Sequence, residues 1–170
     1  MKKILIAFVS ALSLLVLCAC GGNSSADPEK AEDPEEPAVE AVVDIFKIAD
    51  KSESDVASVL GEPTMSETGT FTLNTSSKTD IISNTYADGT EITFIDGKAV
   101  RITVYPPDGS PVENGAALIG LSDEQAKSGY YDNVENWSWK DNTEFYSIQA
   151  FNNGDGTISY IYVITDEAYQ

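Results

Sequence analysis

The chain has 170 residues with 28 acids, 10 bases and no histidine, for a formal charge of −18 at neutral pH. A polyanion of this kind is repelled by phosphate backbones, so nucleic acid is not an expected partner. Without histidine, Ser-His-Asp and Cys-His catalysis and the usual zinc sets are excluded, and no Gly-rich phosphate loop is present. Carboxylates are too many to single out a hydrolytic pair, so a carboxylate-dependent hydrolase ranks third among the functional readings.

Met1-Lys2-Lys3 precedes an apolar run from Ile4 to Leu17 that is broken only by Ser10 and Ser13. The run is shorter than the roughly 20 apolar residues that span a hydrocarbon core, and small residues follow it, as in a secretory leader. Leu17-Cys18-Ala19-Cys20 then resembles the lipobox of bacterial lipoproteins, in which a cysteine follows a small residue with leucine three positions before it. Cys20 fits that pattern, whereas Cys18 would put bulky Leu17 at the cleavage position. The resemblance implies a signal peptide over 1–19, a diacylglyceryl group on Cys20, and a chain anchored at the cell membrane on its extracytoplasmic side. A two-chain anchor holds stably where a single chain holds marginally. The mature chain would then carry 28 acids against 8 bases and no disulfide, so its fold must rest on an apolar core.

Residues 21–37 contain no apolar side chain larger than alanine, three prolines, six acids and one lysine. Such a segment buries too little surface to order itself, so 20–37 reads as a lipidated cysteine and an acidic tether. As a flexible coil it would reach roughly 20–25 Å, and self-repulsion extends it further.

From residue 38 the composition becomes that of a folded domain running to 170, with halves at about 38–107 and 108–170. Val39, Val42, Val43, Phe46 and Ala49 recur at helical spacing. A second helix follows, with Ser52 as cap, Val56, Val59 and Leu60 as its apolar stripe, Gly61 at the C-cap and Pro63 preventing continuation. From Thr70 onward, Thr, Ile, Tyr, Phe and Val predict strands near 69–74, 80–86, 90–95 and 99–105. If Ile92 and Phe94 share a buried face with Val100, Ile102 and Val104, one extra residue must enter between the last two strands. The simplest place is a three-residue Ile95-Asp96-Gly97 loop, which sets Ile92 opposite Val100 and Glu91 opposite Arg101. Arg101, the only arginine, would then pair with Glu91 on the solvated face.

After Pro106-Pro107 the plan restarts with a short apolar segment at 116–120, a capping box on Ser122 and Gln125, a stop at Gly129, and strands near 134–140, 143–151 and 157–164. Aromatic, Asp, Thr, Glu and large apolar residues recur between Tyr86–Ile92 and Trp139–Phe145 at an offset of 53. The capping serines are 70 apart, so the second unit is short by one strand. The fold class expected is therefore α+β, a helix pair on one face of an antiparallel sheet, in a degenerate tandem repeat.

Ser52 to Pro63, reading Ser-x-x-x-Val-x-x-x-Leu-Gly-x-Pro before antiparallel strands, resembles the SmpA/OmlA small lipoproteins and the tandem-repeat beta-lactamase inhibitor proteins. The resemblance implies a helix pair over one sheet face, with the uncovered, aromatic-bearing face turned to a partner protein. This domain lacks the inhibitors' disulfide cysteines.

Trp137 and Trp139 share a strand face, and Tyr146, Tyr160 and Tyr162 lie in the same half, with Tyr130 and Tyr131 nearby. Two readings stand: outward anchors for an envelope or secreted protein or a glycan, or, for Trp139, Tyr146 and Tyr160, filling of the second half's core. Asn153-Gly154-Asp155-Gly156-Thr157 lacks the spaced carboxylates of a calcium loop and reads as a hairpin turn. The expectation is a membrane-anchored binding module, not an enzyme, with no catalytic or metal-ligating set and no cofactor; a structural envelope lipoprotein is the alternative.

Overall fold

In the computed structural model, residues 39–127, 129–131, 136–139 and 144–170 are described. The leader, Cys20 and the acidic tether expected over 1–37 lie outside them, as do the linking residues 132–135 and 140–143.

The first helix expected from the valine spacing does not form. The segment stays extended and closes into a single 3-10 turn at Ile45–Lys47, capped by Asp44, whose carboxylate accepts from the Phe46 N–H at 3.1 Å. A tertiary partner has taken the donors a helix would use: the N–H groups of Val42 and Val43 donate to Leu118 O, and that of Ile45 to Ile119 O. Burial follows this path, with Val43, Ile45, Ile48 and Ala49 inside and Val39 at the surface.

The second helix, α1 (Glu53–Leu60), stands where its signals put it. Ser52 Oγ accepts from the Asp55 N–H and Gly61 ends the helix at φ 85°. Its buried residue is Val56, while Val59 of the expected stripe faces solvent. Glu53 in the first turn accepts from Asn84 Nδ2 of the sheet at 3.2 Å, which ties the start of the helix to the strands beneath.

Four strands follow as a meander: β1 (Met65–Thr72), β2 (Lys78–Thr85), β3 (Glu91–Ile95) and β4 (Lys98–Val104). The extra residue demanded by face parity is present, but in a different place. Ile95 pairs with Lys98 across a two-residue Asp96-Gly97 turn with both residues at positive φ, 51° and 74°. These are the angles of a type I′ hairpin, whose twist matches the strands. The bulge lies inside β4, where Phe94 pairs with Ala99 and Thr93 with Arg101, leaving Val100 as the added residue. Ile92 therefore faces Ile102 instead of Val100, and Glu91 faces Thr103 instead of Arg101.

The second half supplies two short helices, α2 (Gly115–Leu118) and α3 (Asp123–Ala126), the latter with the expected reciprocal capping box between Ser122 and Gln125. It then adds four strands where three were expected: β5 (Tyr130–Tyr131), β6 (Asn136–Ser138), β7 (Ser147–Asn152) and β8 (Ile158–Ile164). The additional strand is the two-residue β5, too short to show as a period-two pattern.

Among the described residues, eight strands form one antiparallel sheet in the order β1-β2-β3-β4-β8-β7-β6-β5. Two four-stranded meanders thus meet through their last strands, β4 and β8. The fold is sheet-rich, with a few short helices. On one face Ile92, Ile102, Val163 and Ile148 form a cross-strand row that is buried throughout. Val43, Ile45, Ile48, Val56, Ala116, Leu118 and Ile119, all from outside the sheet, share the same apolar core. We call this the covered face and the opposite one the outer face.

Candidate functional site: the outer face of the sheet

Pairing register assigns the aromatics of β6 and β8 to opposite faces. Trp137 pairs with Ala150, which pairs with Ile161, which pairs with Val104, so this row belongs to the covered face. Trp139, two residues on, is 1% exposed. A Cβ on Gly115 would come within 2.7 Å of its Cη2, so only glycine lets the first turn of α2 lie this close to the indole. Trp137 is half-buried against the same core, with its ring centroid 6.3 Å from that of Trp139. Of the two readings left open for Trp139, core filling is the one the structure shows.

Tyr146 precedes β7; it is half-buried and its hydroxyl donates to Gln170 Oε1 at 3.1 Å. Tyr160 and Tyr162 lie together on the outer face of β8. The five expected contact residues are therefore divided: two tyrosines share the outer face, the tryptophans sit on the other side, and Tyr146 is tied to the C-terminus.

Three further aromatics join the outer face. Tyr105, just past β4, continues the parity of Arg101 and Thr103 and is 42% exposed. Its ring centroid is 6.3 Å from that of Tyr160, with the planes at 52°. Tyr160 in turn stacks on its cross-strand partner Phe151 at 4.6 Å and 17°. Toward β1, Phe71 lies under the Arg101 guanidinium, 4.6 Å from ring centroid to Cζ. The sequence reading missed all three; the alternation of β4 carries the signal that would have found Tyr105, whereas Phe71 and Phe151 have none, because their neighbours come from register.

Arg101 does not pair with Glu91. Its Nε–H donates to the Tyr162 hydroxyl, and its guanidinium lies 5.1 Å from that ring's centroid, so the lone arginine is clasped between Phe71 and Tyr162. The single-residue shift at Val100 moved Glu91 and Arg101 onto different rungs. Between them runs a groove of about 330 Å³ lined by Glu67, Ser83, Glu91, Thr93, Arg101 and Tyr162. Burial pushes the Tyr162 phenol above its ordinary value, against the opposing pull of the Arg101 charge. Burial likewise pushes the Tyr105 phenol up, assisted by the negative charge of Glu91 beside it.

The outer face is closed at one end. Ile95 and Ile164 are buried there, near the C-terminal 3-10 turn at Glu167–Tyr169, whose Glu167 carbonyl accepts from Asn74 Nδ2 at 2.8 Å. The open end is that of Tyr105, Tyr160 and Phe151.

Two other places carry polar chemistry. In the β7–β8 loop, the Thr157 N–H and hydroxyl both donate to Asp155 Oδ1, holding that carboxyl below its usual value, and the Gly154 N–H donates to Asn152 Oδ1. The oxygens are thus engaged in shaping the turn. Among the described residues no three His, Cys, Asp or Glu side chains are grouped to hold a metal ion, and no helix is long and apolar enough to cross a membrane. What the outer face offers chemically is stacking, hydrogen bonding and charge on a rigid sheet. Comparison with protein-family models, characterised proteins and solved structures finds no match to this chain.

Proposed function

We propose that this is a lipoprotein held at the extracytoplasmic face of the cell membrane through Cys20, and that its domain is a binding module working through the outer face of the sheet. The anchor rests on the lipobox pattern of Leu17 to Cys20 and on the acidic, proline-bearing tether behind it. The observation that carries the binding reading is the aromatic row of Tyr105, Tyr160 and Phe151 beside Tyr162 and Arg101. Tyrosines and arginines held rigidly on a surface are the usual anchors of recognition.

The two halves are read as a degenerate tandem repeat. Each has a serine-capped helix, at Ser52 and Ser122, followed by a four-stranded meander, and the strand order mirrors about the β4–β8 junction. This layout supports the likeness to the beta-lactamase-inhibitor and small-lipoprotein architecture at the level of plan. The helix pair of that architecture is represented in the first half by α1 and a 3-10 turn.

Two measurements test the reading. Radiolabelled palmitate should enter the wild-type chain and not Cys20→Ser, and the variant should leave the membrane fraction. Label retained by Cys20→Ser would end the anchor proposal. For the binding face, a Tyr105→Ala, Tyr160→Ala double variant with native circular dichroism should lose envelope crosslinks that wild type makes; crosslinks held equally by both would remove the outer face from the proposal.

A further inference from the structure

Building on the binding reading, we infer that the open end of the outer face, formed by Tyr105, Tyr160 and Glu91, is a seat for a cationic side chain, and that its partner is a protein segment rich in lysine and arginine. Three observations converge. The first is charge: a chain with 28 acids against 10 bases attracts basic partners and repels acidic ones.

The second is that the same face already holds a cation in this manner. Arg101 lies over the rings of Phe71 and Tyr162, 4.6 and 5.1 Å from their centroids, with Nε hydrogen-bonded to the phenol. Two aromatic faces and an oxygen acceptor thus suffice here to seat a guanidinium.

The third is that the open end repeats those parts. Tyr105 and Tyr160 meet at 52° with centroids 6.3 Å apart, and Tyr105 is 42% exposed. Glu91 stands opposite Thr103, two residues from Tyr105 on the same face, close enough for its charge to act on that phenol. No cation of this chain stacks on either ring among the described residues. An exposed ring face beside a carboxylate suits a compact cation.

The test uses the full-length chain in a neutral detergent, titrated with an octaarginine peptide and, separately, with a neutral chito-oligosaccharide. Binding is read by calorimetry and by chemical-shift changes at residues 91, 105, 151 and 160. The expected result is octaarginine binding that shifts those residues, weakens about fivefold in Tyr105→Ala and holds in Tyr105→Phe, which keeps the ring. Glu91→Gln should weaken it about threefold, while Asp123→Asn on α3, an equal loss of charge elsewhere, should not. Glu91→Gln keeps side-chain size and carries the test should Tyr105→Ala fail to fold. Equal weakening by Glu91→Gln and Asp123→Asn would reduce the effect to bulk charge and overturn the inference. Oligosaccharide shifting these residues while octaarginine does not would overturn it and leave the outer face standing as a binding surface. Octaarginine binding that shifts only residues off this face would overturn the inference, the outer face then standing or falling by the crosslinking comparison.

Discussion

The two faces of the sheet use aromatic residues in opposite ways. On the covered face Trp139 is packed against Gly115 and the apolar row beneath the helices, so its area contributes to stability. On the outer face Tyr105 is exposed and meets Tyr160 at an angle, and Tyr160 and Phe151 stack while only half-buried, so the fold gains less from their presence. The lesson is that residue type does not tell an anchor from a core residue. The tryptophans look like the better anchors by size, yet parity carries them inward, while a tyrosine beyond the end of β4 is carried out.

The largest expected effect separates the faces directly. Trp139→Ala should cost about 3–5 kcal/mol in denaturant unfolding, as for other large buried aromatics. Tyr105→Ala should stay within about 0.5 kcal/mol. Equal losses would mean that Tyr105 is a core residue and the comparison is wrong.

The hairpin that sets register for both faces gives the next effect. Gly97 sits at φ 74° in the Asp96-Gly97 turn, and Gly97→Ala should cost about 1–2 kcal/mol, seen as a lower denaturation midpoint with unchanged slope. On the covered side, Ser52→Ala removes the cap of α1 and should cost about 1 kcal/mol, with amide exchange quickening in 53–60 and not in β7 or β8.

The smallest effect sharpens the outer face. Arg101→Met should cost about 0.5–1 kcal/mol through loss of its stack on Phe71 and Tyr162. It also removes the charge that pulls the Tyr162 phenol down, so in the variant this group should ionise at still higher pH, read from tyrosinate absorbance. The sign for stability follows from a folded-state value raised above 10.0: the contribution of Tyr162 is complete below about pH 10 and is lost as pH rises through the folded value. An absorbance titration unchanged by Arg101→Met would contradict the Arg101–Tyr162 contact.

Signals that act locally were legible in the chain. Ser52 and Gly61 bounded α1, and Ser122 with Gln125 opened α3, because a cap is decided by its own turn. Face parity in β3 and β4 was legible too, down to the need for one added residue. Its position was not, since Asp96-Gly97 favours a two-residue turn and only the partner strands admit the bulge at Val100. The valines at 39–49 misled because spacing reports which residues are apolar and not which carbonyl takes their N–H groups; Leu118 and Ile119, some 75 residues away, took them. For the candidate site, the outward phase of residues 101, 103 and 105 was readable from alternation. The clasp on Arg101 and the Phe151–Tyr160 stack depend on long-range register and were not.

Binding through the outer face is tested most directly by placing a photoreactive benzoylphenylalanine at position 105 on that face and, separately, at position 123 on α3, in chains expressed in their native envelope. Irradiation should give discrete protein adducts from position 105 and none from position 123. Adducts from 123 alone, or none from 105 under conditions where the chain is folded and membrane-bound, would contradict it.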